Sequence, residues 1–152
     1  MRLLLQRAAR AEVRVDDAVV GRIGPGLVAL VGIGPNDTAA TVRQMADKMV
    51  DLRIFRDDAG LTNRSLIDVG GDVLAISQFT LYADTRRGRR PSFLGAAAPD
   101  VAEALFMSFI ADVTQRGVRV ARGIFGAEMA VELVNDGPMT IWLDSDAPLD
   151  AR

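Results

Sequence analysis

The sequence contains no cysteine and no histidine in 152 residues. Without cysteine there is no disulfide framework, no thiolate nucleophile and no sulfur-ligated zinc. Without histidine the commonest general base and the commonest metal ligand are both missing. Lysine is almost absent: Lys48 is the single one, against 17 arginines. Aromatic residues make up 5%. Long apolar runs are also lacking, since Leu3-Leu4-Leu5 gives way at once to Gln6 and Arg7. A signal peptide needs an apolar stretch of about 7–15 residues, and a membrane span about 18 or more. The chain therefore reads as cytoplasmic, with no membrane role. Any chemistry must come from carboxylates, hydroxyls, arginine, one lysine, backbone groups or the substrate itself, with no cofactor and no metal indicated.

What is present is the composition of a folded domain. Apolar residues make up 49% and charged residues 25%, which argues against global disorder. The length suits one domain, able to bury about 68–70% of its unfolded surface. The net charge of −2 argues against a protein that coats nucleic acid over its whole surface.

The patterning alternates strands and helices. Val13 and Val15 alternate with charged neighbours before a turn at Asp16-Asp17, and Val19, Val20 and Ile23 follow. Gly24-Pro25-Gly26 breaks the chain ahead of LVALVGI (27–33), a continuous apolar run that suits a strand buried on both faces. Thr38 or Asp37 is a plausible N-cap for a helix carrying Val42, Met45, Ala46 and Met49 on one face. Leu52 to Phe55 resumes strand character, and Asp57 to Gly60 is a turn. VLAISQF (73–79) reads as a further strand, with a polar, Arg-rich loop after it. Pro99 opens a second helix at its first position, with Val101, Leu105, Phe109 and Val113 on the expected buried face. The last third returns to strands, Met129 to Val134 and Met139 to Leu143, joined by an expected turn at Asn135-Asp136-Gly137-Pro138. The acidic tail from Asp144 is expected to fray. These elements predict a mixed α/β single domain: a curved, barrel-like sheet with two main helices packed outside it. The domain spans residues 1–145, and residues 146–152 form the tail.

Three places carry potential chemistry. Ser77-Gln78-Phe79-Thr80 puts polar residues at a strand end. Ser77 or Thr80 is a candidate nucleophile, but a hydroxyl needs a base, here a carboxylate such as Asp84, or Lys48. The hydroxyls equally suit local backbone bonding, and the backbone amides suit an oxyanion hole, which needs no particular side chain. Asn135-Asp136-Gly137-Pro138-Met139-Thr140 reads as a hairpin turn. An X–Pro bond is cis in only about 5–6% of folded cases, so the residues alone favour trans. Arg86-Arg87-Gly88-Arg89-Arg90 is a local positive patch, suited to phosphate or simply to solvent.

Taken together these segments resemble the D-aminoacyl-tRNA deacylase family. The resemblance spans nearly the whole chain. It is carried by LLLQRAARAEVRV at the start, GLVALVGI, LRIFRDDAG, SQFTLYADTRRGRRPSF, APDVAEALF and FGAEMAVELVNDGPMTIWLDS. Its sharpest parts are SQFTLY at 77–82 and NDGPMT at 135–140. Met139 stands where the family often has Val.

The resemblance implies hydrolysis of the ester joining a D-amino acid, or glycine, to the 3′ end of tRNA. It implies a homodimer with active sites at the subunit interface and a cis Gly137–Pro138 bond entering the partner's site. Phe79 and Thr80 are then the expected oxyanion donors, with Ser77 and Gln78 beside them and the tRNA 2′-OH assisting. Gly137 and Pro138 would capture the substrate ammonium and reject L-enantiomers by a clash, with Asn135 and Thr140 in the same motif. Arg7 would orient that motif, and Phe125, Ala127 and Met129 would line an adenosine pocket. On the residues alone, a small-molecule esterase using Ser77 or Thr80, or a non-catalytic RNA-binding module using the arginine patch, remain alternatives.

Overall fold

A computed structural model of the chain describes residues 1–147. The first strand, β1 (Arg2–Val15), is 14 residues long and organises the fold. It turns at Asp16-Asp17 into β2 (Ala18–Ile23). Both turn residues have positive φ, 48° and 63°, as a two-residue hairpin loop requires. The inner half of β1 pairs antiparallel with β3 (Gly26–Gly32), while its outer half pairs with β2.

Thr38 caps α1 (Ala39–Asp51), its hydroxyl accepting from the Thr41 amide while the Thr41 hydroxyl accepts from the Thr38 amide. Val42, Met45, Ala46 and Met49 are fully buried, the face expected from their spacing. Leu52 to Phe55 yields only a short strand, β4 (Phe55–Arg56), paired with β5 (Thr62–Arg64). The next strand, β6 (Asp72–Ser77), runs parallel to β3, and β7 (Val120–Arg122) runs parallel to β6. Pro99 stands at the start of α2 (Pro99–Gln115). Phe106, Phe109 and Val113 bury one face of α2, but Val101, in its first turn, is exposed.

The final strand, β8 (Ala130–Asp144), lies along the other side of β1. The sheet order is β2-β1-β3-β6-β7, with β8 on β1. Gly21 of β2 lies so close to β7 that a Cβ there would stand 2.6 Å from the Arg122 carbonyl oxygen. This approach nearly closes the sheet into a barrel. Two apolar layers result. Leu27, Ala29, Val31, Val73 and Ala75 face the helices. Val28, Leu74 and Ile76 face the barrel interior with Ala8, Val13 and Ile23. Strands apolar on both sides are what LVALVGI and VLAI require.

Two expectations are corrected. Asn135 to Pro138 is not a hairpin turn: β8 continues through it in one direction. Gln6 and Ala8 of β1 stand opposite Thr140 and Asn135, so two residue steps on β1 face five on β8, and the surplus bulges outward. The chain also does not fray at Asp144. Its carboxylate pairs with Arg2 at 3.0 Å, and the Ser145 amide donates to the Met1 carbonyl at 2.9 Å. Most of the expected 146–152 tail lies outside the described residues.

Candidate active site

The strand expected over residues 73–79 ends at Ser77, and the chain then tightens into a single 3-10 turn, Phe79–Tyr82. This turn packs on β3 because glycine leaves it room. A Cβ on Gly32 would stand 3.1 Å from Leu81, and one on Gly34 would stand 2.6 Å from the Tyr82 hydroxyl. Arg2 holds the turn from the other side. It donates to the Leu81 carbonyl at 2.9 Å and lies 4.3 Å over the Tyr82 ring. Burial pushes the Tyr82 hydroxyl well above the usual tyrosine range, so it stays neutral.

The start of a 3-10 turn leaves its first two amides without an intrahelical partner. Here these are Phe79 and Thr80. The Leu81 amide reaches back to the Gln78 carbonyl at 3.2 Å, and the Gln78 amide donates to Val31 at 2.7 Å. No acceptor among the described residues takes the Phe79 or Thr80 proton. Two adjacent, unclaimed N–H groups at a strand end are suited to a developing oxyanion.

Among the described residues no base is placed to activate Thr80. Its hydroxyl bonds the Gln78 side-chain amide. Asp84 is committed to Arg86, whose side-chain hydrogen bonds at 2.7 and 2.9 Å hold its carboxyl down to about 2. Lys48 is exposed on α1.

Ser77, Gln78 and Phe79 open into a cavity of about 480 Å³, within the range of small-ligand sites. Phe125, Ala127 and Met129 line the same cavity, so two groups of sequence-selected residues meet there. Met129 precedes β8 rather than lying in a strand. Sequence reasoning missed Phe93, Ala97, Pro99 and Phe106 as walls. The signal available was the apolar face of α2, whose first turns form that wall. Phe93 meets Phe79 edge to face at 5.0 Å. The walls are largely apolar, so they suit an uncharged ring system.

The Gly137–Pro138 group lies elsewhere. The peptide bond is cis, and Gly137 has φ 136°. Both residues are exposed at the bulge of β8. Asn135 braces the bulge, its Oδ1 accepting from the Met139 amide at 2.9 Å and its Nδ2 donating to Thr140 Oγ1 at 3.0 Å. Beneath it Arg7 is only 3% exposed. Arg7 donates to the Asp136 carbonyl at 3.0 Å and to the Ile54 carbonyl at 2.6 Å, with the Asp136 carboxylate at 3.1 Å. Ile54 was not anticipated as its partner.

The two groups do not meet within one chain. Arg7 aligns with Leu27, Leu27 with Val73, and Ser77 lies four residues beyond Val73. Four residues along the strand and three strand spacings across it separate the motifs by roughly 20 Å along the sheet. Among the described residues no cluster of three or more carboxylates is placed to hold a metal ion. No described helix is long and apolar enough to cross a membrane.

Comparison with known proteins places this arrangement. A D-aminoacyl-tRNA deacylase of Deinococcus radiodurans is 55% identical over 144 residues, covering 95% of this chain and 99% of that protein. One from Bacillus velezensis is 51% identical over 145 residues, with coverage of 95% and 99%. Among solved structures, one described as c-Myc DNA Unwinding Element Binding Protein superposes with a TM-score of 0.89 at 35% identity, covering 95% of this chain and 98% of that one. A probable eukaryotic D-amino acid tRNA deacylase shares the fold, with a TM-score of 0.82 at 22% identity and coverage of 93% and 97%. The sequence pattern of the family described as D-Tyr-tRNA(Tyr) deacylase matches residues 4–144, and the chain belongs to that family.

Proposed function

We propose that this chain hydrolyses the ester between a D-amino acid and the 3′ end of tRNA, acting in the cytoplasm as a homodimer. Family membership at more than half identity over nearly the full length supports the deacylase activity. The observation that carries the mechanism is the pair of unclaimed Phe79 and Thr80 amides beside a nucleoside-sized cavity.

In this reading the terminal adenosine enters between Phe125, Ala127 and Met129. Its ester carbonyl then faces the 3-10 turn, and the two amides stabilise the tetrahedral oxyanion. An aminoacyl ester is already activated, so a water positioned by the ribose 2′-OH suffices as nucleophile. The Thr80 hydroxyl, bonded to Gln78 and lacking a base, is not required.

Chiral selection needs a third fixed direction, and the partner's Gly137–Pro138 bulge supplies it. Its backbone carbonyls receive the substrate ammonium. A D side chain then points to solvent, while an L side chain meets the wall. Glycine, having no side chain to reject, is also cleaved. The separation of roughly 20 Å within one chain supports assembly of the site in trans. So do the open edge of β8 and the exposed Val131, Val134 and Trp142 along it.

The direct test is paired deacylation of D-Tyr-tRNA and L-Tyr-tRNA by purified protein with chelator present. The expected result is rapid loss of the D ester with the L ester spared. Equal rates on both would overturn the selection argument, and no rate on either would overturn the activity.

A further inference from the structure

We propose that the loop from Asp84 to Ser92 is a phosphate clamp for the acceptor end of the tRNA, with Arg87, Arg89 and Arg90 as its contacts. The proposal rests on the tRNA-ester reading of the cavity and adds the surface that holds the rest of the RNA.

The loop is a built feature. Asp84 and Ser92 exchange both backbone hydrogen bonds, at 2.7 and 2.9 Å, so the excursion is closed at its neck. Asp84 then uses its carboxylate on Arg86, at the side of the neck. Gly88 turns the tip with φ 69°. Arg87, Arg89 and Arg90 project from that tip, all exposed.

Charge pairing separates these three from the neighbouring Arg86 and from seven other arginines of the chain. Among the described residues eight arginines hold a carboxylate within ion-pair distance, Arg86 among them. Arg87, Arg89 and Arg90 hold none among the described residues. Three uncompensated guanidinium groups therefore crowd four residues of a chain whose net charge is −2. Such a local field attracts anions that the protein as a whole repels. Guanidinium groups also match phosphate oxygens in paired hydrogen bonds, which lysine does not.

Position makes the anion a nucleic-acid backbone. The loop leaves the 3-10 turn just after Tyr82 and returns at Phe93, a wall of the cavity in edge contact with Phe79. Both ends of the loop are thus fixed at the cavity mouth. The tip at Gly88, four residues from Ser92, reaches at most about 14 Å from it. An RNA strand whose last nucleoside fills the apolar cavity must carry its preceding phosphates across this mouth. No aromatic side chain lies on the tip to stack a base, so the contact is to the backbone and blind to sequence.

The test compares wild type with the triple variant Arg87→Ala/Arg89→Ala/Arg90→Ala. All three sites are exposed, and circular dichroism checks the fold. Binding of uncharged tRNA is measured by fluorescence anisotropy across salt, and deacylation is measured on D-Tyr-tRNA and on the D-tyrosyl ester of adenosine, which has no phosphate. Each phosphate contact contributes about 0.7–0.9 to the slope of log affinity against log salt. The variant should therefore lose about 2–3 of that slope, so wild type weakens about 20-fold or more relative to it over a fourfold rise in salt. KM on D-Tyr-tRNA should rise with kcat nearly constant, and the adenosine ester should be cleaved equally by both proteins. Arg→Lys at all three positions should restore most of the slope but not all the affinity. Unchanged tRNA binding and slope in the alanine variant would overturn the clamp, whether or not the protein is active. A wild type that cleaves neither ester would instead overturn the functional reading, while the binding comparison still decides the loop.

Discussion

At the scale of the residue, the proposed mechanism relies on backbone atoms more than on side chains, and substitutions should reveal this. Phe79 stands at the first position of the 3-10 turn, where proline's fixed φ is compatible, and Gln78 before it, at φ −143° and ψ 77°, lies outside the helical region that a following proline disfavours. Phe79→Pro therefore deletes one amide proton with little demand on the chain. Losing one oxyanion donor costs on the order of 10²–10³ in kcat. Phe79→Ala removes the exposed ring but keeps the amide, and should cost far less. Thr80→Ala should likewise be mild, since its hydroxyl has only the Gln78 amide as a side-chain partner. Single-turnover deacylation of D-Tyr-tRNA by the three variants checks this ordering. A Thr80→Ala loss as large as that of Phe79→Pro would return the hydroxyl to the role of nucleophile. These roles were only half legible in the sequence. The absence of histidine and cysteine pointed away from side-chain nucleophiles. No residue pattern, however, announces that two consecutive amides lack acceptors, because that depends on where a strand stops and a 3-10 turn starts.

At the scale of the element, local signals suffice where the partner is close in sequence. Asp16-Asp17 turns β1 into β2, Thr38 caps α1, and Pro99 opens α2. Local signals mislead where the partner is remote. Asn135 to Pro138 has the composition of a turn, yet β1, some 130 residues earlier, holds both flanks of β8 in one direction. Val101 fits the helical spacing, yet the structure leaves it exposed, because spacing alone does not say what packs against a helix face. The 3-10 turn is likewise positioned by remote contacts. Gly34 admits the Tyr82 ring, and a Cβ there would stand 2.6 Å from its hydroxyl. The ring is also held under Arg2, so it has little room to yield. Gly34→Ala should thus destabilise the fold by about 1–3 kcal/mol, as overpacking does. It should also displace the two amides, lowering kcat more than it raises KM. Thermal unfolding together with steady-state kinetics would check both effects. A variant with reduced stability and unchanged kcat would separate the packing of Tyr82 from the geometry of the site.

At the scale of the whole molecule, the decisive question is where the Gly137–Pro138 bulge acts. Within one chain it stands on the far side of β1, exposed and braced from beneath by Arg7, Asn135 and Thr140. In the proposed reading this fixed, exposed bulge meets the partner subunit's site. In the proposed homodimer, two-fold symmetry would let each bulge reach the other subunit's strand end. Complementation tests this for any two-fold interface, whichever surfaces form it. Phe79→Pro damages only the receiving half of a site. Gly137→Ala damages only the donating half, since a Cβ there would stand 2.9 Å from Arg7 Nη2 and from the Met139 amide, at a φ that disfavours any side chain. Each variant alone should be nearly inactive on D-Tyr-tRNA. When the two are co-expressed in equal amounts, half of the dimers are mixed. Each mixed dimer then contains one site with an intact strand end from one subunit and an intact bulge from the other. Activity should return to about a quarter of the wild-type value. If instead every site were made within one chain, both variants would carry damage in every copy, and the mixture would stay as inactive as either parent.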